Sequence, residues 1–112
     1  MVDIAFRSAK LRDLCSKEKE MTRRLGTETA ARLKRRLAEL QAADALEDLR
    51  SVPSARCHEL AGGRKGQLAL DLGLGRRLVV ESEENPPPRK PNGGLDWEAV
   101  TSIVVVEVVD YH

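Results

Sequence analysis

The run Ile103-Val104-Val105-Val106-Glu107-Val108-Val109 is the most apolar segment of the chain, and all but one of its residues are β-branched. Branching at Cβ restricts χ1 in a helix and packs well on a pleated surface, so the run predicts a buried strand over residues 101–109. A strand this apolar needs a sheet to sit in and a layer to cover it. Directly after it stand Asp110, Tyr111 and His112. The strand would deliver a carboxylate, a phenol and an imidazole to one rim of the sheet, and the terminal carboxylate of His112 would add a charge to the same corner. Tails are usually frayed and expendable. One anchored on a buried strand reads as the wall of a reactive site.

Upstream, residues 2–6 alternate apolar and polar and predict an opening strand. Ser8 is placed to cap a helix carrying Leu11, Leu14 and Cys15 inward, and Ser16 to begin a second helix that stops at Gly26. Thr27 is the expected cap of the longest helix. Its stripe of Ala30, Leu33, Leu37 and Leu40 faces a core, and its opposite face carries Arg32, Lys34, Arg35, Arg36 and Glu39. A short helical segment over 45–49 precedes Pro53. Residues 56–60 then read as extended, Gly62-Gly63 as a turn, and 67–72 and 77–81 as the strands of a hairpin turned at 73–75. The prolines and glycines of 82–94 predict a loop without regular structure, and 95–100 a single helical turn. The expected class is α+β: two or three N-terminal helices on one face of a small, mainly antiparallel sheet, as one domain over residues 1–112.

Charge is nearly balanced overall, with 19 basic and 18 acidic residues, but its distribution is uneven. Residues 1–36 hold 11 basic against 5 acidic side chains, and a second basic patch surrounds Arg56, Arg64, Lys65, Arg76 and Arg77. Basic surfaces on a near-neutral chain suit a polyanion or an acidic protein. Aromatic residues make up only 3% of the chain, which argues against a stacking platform for long single strands and for a cleft handling a few nucleotides. Two cysteines are too few for a disulfide framework, and neither a secretory signal nor a membrane-spanning stretch is visible, so the expectation is a soluble cytoplasmic protein with free thiols. Cys57 and His58 would point to opposite faces of a strand and there is no second ligand pair, so no metal and no cofactor are expected.

Four groups could meet at one end of the sheet: His58, the Arg64-Lys65 turn, Arg77 and the closing Asp110-Tyr111-His112. Cleaving a phosphodiester with the neighbouring ribose hydroxyl needs a base for the 2′ proton, cations against the developing charge and an acid for the leaving oxygen. Asp110 or His112 suits the base, Arg77 with Arg64 and Lys65 the clamp, and His58 or His112 the acid. Tyr111 could stack on a base or orient the phosphate.

The order His-x-Leu-x-Gly-x-Arg-Lys-Gly over residues 58–66, an alternating strand, Arg77-Leu78 and a closing Asp-Tyr-His resembles the HigB, or killer protein, branch of the RelE/ParE toxin superfamily along essentially the whole chain. The resemblance implies the RelE/ParE-like fold and the toxin of a bacterial type II toxin–antitoxin pair: a ribosome-dependent, metal-independent mRNA endonuclease held inactive by a helix-turn-helix, HigA-like antitoxin. It also implies catalytic or RNA-contact roles for His58, Arg77, Asp110, Tyr111 and His112, with Arg64 and Lys65 as the RNA-binding basic turn. The pattern departs at Ala61, where the family has a lysine, and in the length of the 82–94 loop, whose Arg89 and Lys90 could stand in for that lysine. A ParE-like inhibitor of DNA gyrase, or a non-catalytic antitoxin-binding member of the fold, are the competing readings.

Overall fold

The structure is a computed structural model that describes residues 1–64 and 66–110, Asp110 through its backbone alone. In chain order it runs β1 (Asp3–Phe6), α1 (Ala9–Ser16), α2 (Glu18–Leu25), α3 (Thr27–Ala42), two 3₁₀ segments (Leu46–Ser51 and Pro53–Ala55), β2 (His58–Glu59), a 3₁₀ turn (Gly62–Arg64), β3 (Gln67–Gly73), β4 (Arg76–Ser82) and β5 (Ser102–Asp110). The strands form one sheet in the order β1-β5-β4-β3-β2. Every pairing is antiparallel except β1 with β5, which is parallel. This is the expected α+β architecture.

The apolar run becomes β5, flanked by β1 and β4, with Ile103 and Val105 fully buried. Its register slips beside β4: Val79 faces Glu107 while Val80 faces Val105, leaving Val106 as an extra residue. A bulge of this kind resets the two-residue alternation, so Val108, three positions after Val105, packs against the same core. That core joins Leu33 and Leu40 of α3, Met21 of α2, Leu68, Leu70 and Leu72 of β3, and Leu78 and Val80 of β4. The segment 95–100 adds Trp97 and Val100. It is a hydrogen-bonded turn (Ala99 N–H to the Asp96 carbonyl, 3.0 Å) rather than an α-helical one, and it anchors the Leu46–Ser51 segment through Leu46 N–H to the Val100 carbonyl at 2.9 Å.

Local signals fare unevenly. Ser8 caps α1 as expected, its hydroxyl accepting from Leu11 N–H at 3.1 Å. Ser16 does not begin α2; it closes α1 and donates back to the Arg12 carbonyl, and Lys17 links the two helices. Thr27 is already helical, and the cap position of α3 falls to Gly26, whose φ of 84° and ψ of 163° form a backbone state nearly confined to glycine. Arg36, expected on the solvent face, is buried at 2% exposure. The extended segment expected over 56–60 shrinks to His58–Glu59 because Arg56 adopts the left-handed conformation. The 82–94 loop is also more ordered than expected. Arg89 and Leu95 form an antiparallel bridge, and Lys90 N–H reaches the Gly94 carbonyl at 2.7 Å, making a miniature hairpin.

Leu33 is fully buried at the centre of the α3 stripe. Leu33→Ala is expected to cost about 2–5 kcal/mol through lost transfer energy and the cavity left behind, read as a lowered urea midpoint with an unchanged denaturant slope.

Candidate active site

The β3–β4 hairpin carries one wall of the site. Asp71 and Arg77 are register partners across it, and Arg77 in turn lies opposite Val109 of β5. One row further in, His58, Ala69, Val79 and Glu107 align across β2, β3, β4 and β5. Strand alternation puts both rows on the face away from the helical core. At the Asp71–Arg77 end of this face, Arg56, His58, Asp71 and Arg77 line a cleft of about 280 Å³.

The second wall comes from the 3₁₀ turn Pro53–Ala55. It ends in Arg56, whose φ of 47° and ψ of 42° are unusual for a residue with a Cβ. The Arg56 carbonyl lies 2.7 Å from Nδ1 of His58. A carbonyl only accepts, so Nδ1 must carry the proton and donate it. In the neutral ring Nε2 then keeps its lone pair, and the exposed imidazole presents that nitrogen as a proton acceptor.

Consecutive arginines have different duties. Arg76 points to the helical side, where Nη1 donates to the Leu25 carbonyl and, at 3.0 Å, to the hydroxyl of Thr29. It is a tie between β4 and the α2–α3 junction, not part of a basic patch with Arg77. Arg64 reaches over the outer face, donating to Gln67 of β3 at 2.8 Å and pairing with Glu107 of β5. Its guanidinium therefore spans β4. At the opposite end of this face Glu81, Glu83 and Glu84 line a separate cleft together with Arg89, and Glu81 pairs with Arg7.

Of the residues expected from sequence, the fold brings His58 and Arg77 together and sets Arg64 nearby as a strap. Lys65, Tyr111 and His112 lie outside the described residues. Asp110 is described only as the backbone partner of Arg76, one residue from Arg77. Arg89 and Ala61 line a common cavity of about 410 Å³, with Arg89 donating to the Gly93 carbonyl at 3.0 Å. Asp71 is not among the residues expected from sequence, and Arg56 enters there only as part of the basic patch. Asp71 was within reach, since counting outward from the 73–75 turn pairs it with Arg77; nothing local announces Arg56. Among the described residues no cluster of three or more His, Cys, Asp or Glu could hold a metal ion, and no helix is long and apolar enough to cross a membrane.

No family model matches the chain, and no curated protein sequence matches it. Among solved structures, a YoeB/ParE toxin from Agrobacterium tumefaciens aligns over 99% of this chain and 99% of its own, with a TM-score of 0.54. The fold is that of a YoeB/ParE toxin. At 10% identity the likeness lies in the backbone path, and the side chains of the cleft have to be argued from their own geometry.

Cys57, next to His58 in sequence, is held in its thiol form. Burial pushes its thiol up to about 12 against the opposing charge of Arg50, and burial raises Cys15 to about 11. Both thiols are expected to react slowly with a disulfide reagent at pH 8 and at the ordinary rate in urea. Unfolded thiols ionise near 9.0 while the folded ones stay protonated. Their contribution to stability is therefore complete below pH 9 and is lost progressively as pH rises toward 11–12. Unfolding midpoints measured across that range, with Cys57→Ala flattening the decline, check this.

Proposed function

We propose that this chain, as one domain, is the toxin of a bacterial type II toxin–antitoxin pair, of the HigB branch, and that it cleaves mRNA in the cleft between β2 and the β3–β4 hairpin. The observation that carries the reading is the pairing of His58, its Nε2 free to exchange a proton, with Arg56 and Arg77 in one small cleft. The neighbour's fold supports the toxin class, and the two arginines of the cleft support binding of a phosphate there.

In this mechanism the ribose 2′ oxygen attacks the adjacent phosphorus. A 2′,3′-cyclic phosphate forms, the P–O5′ bond breaks, and the 5′ oxygen leaves with a proton. Arg77 and Arg56 stabilise the charge that builds on the non-bridging oxygens. With Nδ1 committed to the Arg56 carbonyl, His58 acts through Nε2 alone. The neutral ring takes the 2′ proton, and the protonated ring can deliver one to the leaving oxygen, the role the sequence suggested. Asp110, Tyr111 and His112 are proposed to complete the proton relay and hold the RNA, with Arg64 and Lys65 guiding it. The ribosome would present the mRNA in the cytoplasm, and a HigA-like helix-turn-helix antitoxin would hold the protein inactive. The chemistry draws on no metal or cofactor.

Brief induction followed by mapping of 5′ transcript ends tests the reading. The wild-type chain is expected to arrest growth and create new ends within translated messages. Arg77→Ala is expected to reduce cleavage about 10²–10³-fold, and His58→Gln about 10²–10⁴-fold. Growth arrest that survives both substitutions with transcripts intact would sink the nuclease reading. An accompanying DNA-damage response would move the assignment to a gyrase inhibitor. Retained antitoxin binding without arrest would mark a non-catalytic member of the fold.

A further inference from the structure

We infer that Arg36 is a positioning residue for the cleft: its buried guanidinium holds the two walls, which carry Arg77 and His58, at a fixed separation. The inference rests on the reading of the cleft as the reacting site. Arg36 lies on α3 and is not among the residues lining the cleft, so it acts through others. Its Nε donates to the Asp71 carbonyl at 2.8 Å, its Nη2 to the Ser54 carbonyl at 2.9 Å, and its Nη1 to Oε1 of Glu39 at 2.7 Å.

The first two acceptors belong to different walls. Asp71 sits where β3 bulges, facing Arg77 on one side of an extra residue, Leu72. Ser54 lies in the 3₁₀ turn that ends in left-handed Arg56, whose carbonyl holds Nδ1 of His58. One planar fork therefore joins the backbone under Arg77 to the backbone that orients His58. Arg32, one turn earlier on α3, crowds the same bulge: a Cβ on Gly73, at φ 77°, would collide with its guanidinium.

The guanidinium interrupts an apolar stripe, since Arg36 stands beside Leu33, Leu37 and Leu40. Removing the cation alone leaves Glu39 and the Ser54 and Asp71 carbonyls without their donor, so its loss costs stability as well as geometry. An arginine provides three donors in fixed directions, which neither lysine nor methionine can reproduce.

The test reads the His58 ring directly by ¹⁵N NMR, with His58→Gln used to assign its signals. In the wild-type protein the Nδ1–H tautomer of His58 and slow solvent exchange of the Arg36 Nε–H are expected. Arg36→Met and Arg36→Lys, studied well below their lowered unfolding midpoints, are expected to shift His58 toward the two-tautomer mixture of a free imidazole. In a translating extract, kcat is expected to fall about 10- to 100-fold with KM little changed, as for a misplaced reacting group. A merely structural role would leave the tautomer intact in the folded variants. Either folded variant with an unchanged His58 tautomer overturns the inference. So does an Arg36 Nε–H in the unaltered protein that exchanges as fast as those of exposed arginines, a measurement independent of whether any variant folds. A tautomer that responds to Arg36 in a protein that cuts no RNA supports the positioning role while removing the nuclease reading.

Discussion

The fold depends on the pairing of β5 with two strands at once. It takes β1 in parallel on one edge and β4 antiparallel on the other, so segments from both ends of the sequence must meet before a sheet of this order exists. Such contacts cost loop-closure entropy before they return any burial, which places this chain among slower-folding topologies. Burial on the core side repays that cost, since Ile103, Val105, Leu78, Val80, Leu68 and Leu70 form one continuous layer beneath α3. The helices cover that layer, and the side chains of the cleft stand on the other face.

The two faces are separated by the strictness of strand alternation. Arg76 and Arg77 are neighbours in sequence, yet one stitches β4 to the helix junction and the other lines the cleft. On the outer face Arg56 and Arg77 share the hairpin-end cleft with Asp71, and Glu81, Glu83 and Glu84 share the far end with Arg7 and Arg89. Arg64 and Glu107 form a half-exposed pair between them. Exposed pairs of this kind contribute little to stability. Its position across β4 matters more, because it lies between the two clefts of the face.

Much of the architecture was legible because it is written in local periodicity. The alternation of 67–72 and 77–81 around a glycine turn specifies a hairpin, and the stripe through Leu33 and Leu40 specifies the covering face of α3. The failures have a common cause. Helical periodicity assigns every charged residue to solvent, so Arg36 was placed outside; its burial depends on carbonyls of Ser54 and Asp71, distant in sequence. A left-handed arginine at 56 has no local signature, so the cleft wall that orients His58 stayed hidden while the hairpin wall did not. Caps shifted by a residue because Ser16, Gly26 and Thr27 offer competing signals over a short span.

The bulges on either side of β4 have a consequence for how this protein can change. Leu72 on β3 and Val106 on β5 each add a residue opposite a regular strand, and a slip past either would turn a whole row of side chains to the wrong face. Both act as ratchet teeth near Arg77, whereas the 82–94 segment joins the strands at the opposite end of the sheet. That segment packs instead against residues 59–62, which follow His58 directly, so a change in its length bears on β2 rather than on the hairpin. Register is thus locked on the Arg77 wall by two bulges, while the His58 wall leans on a loop.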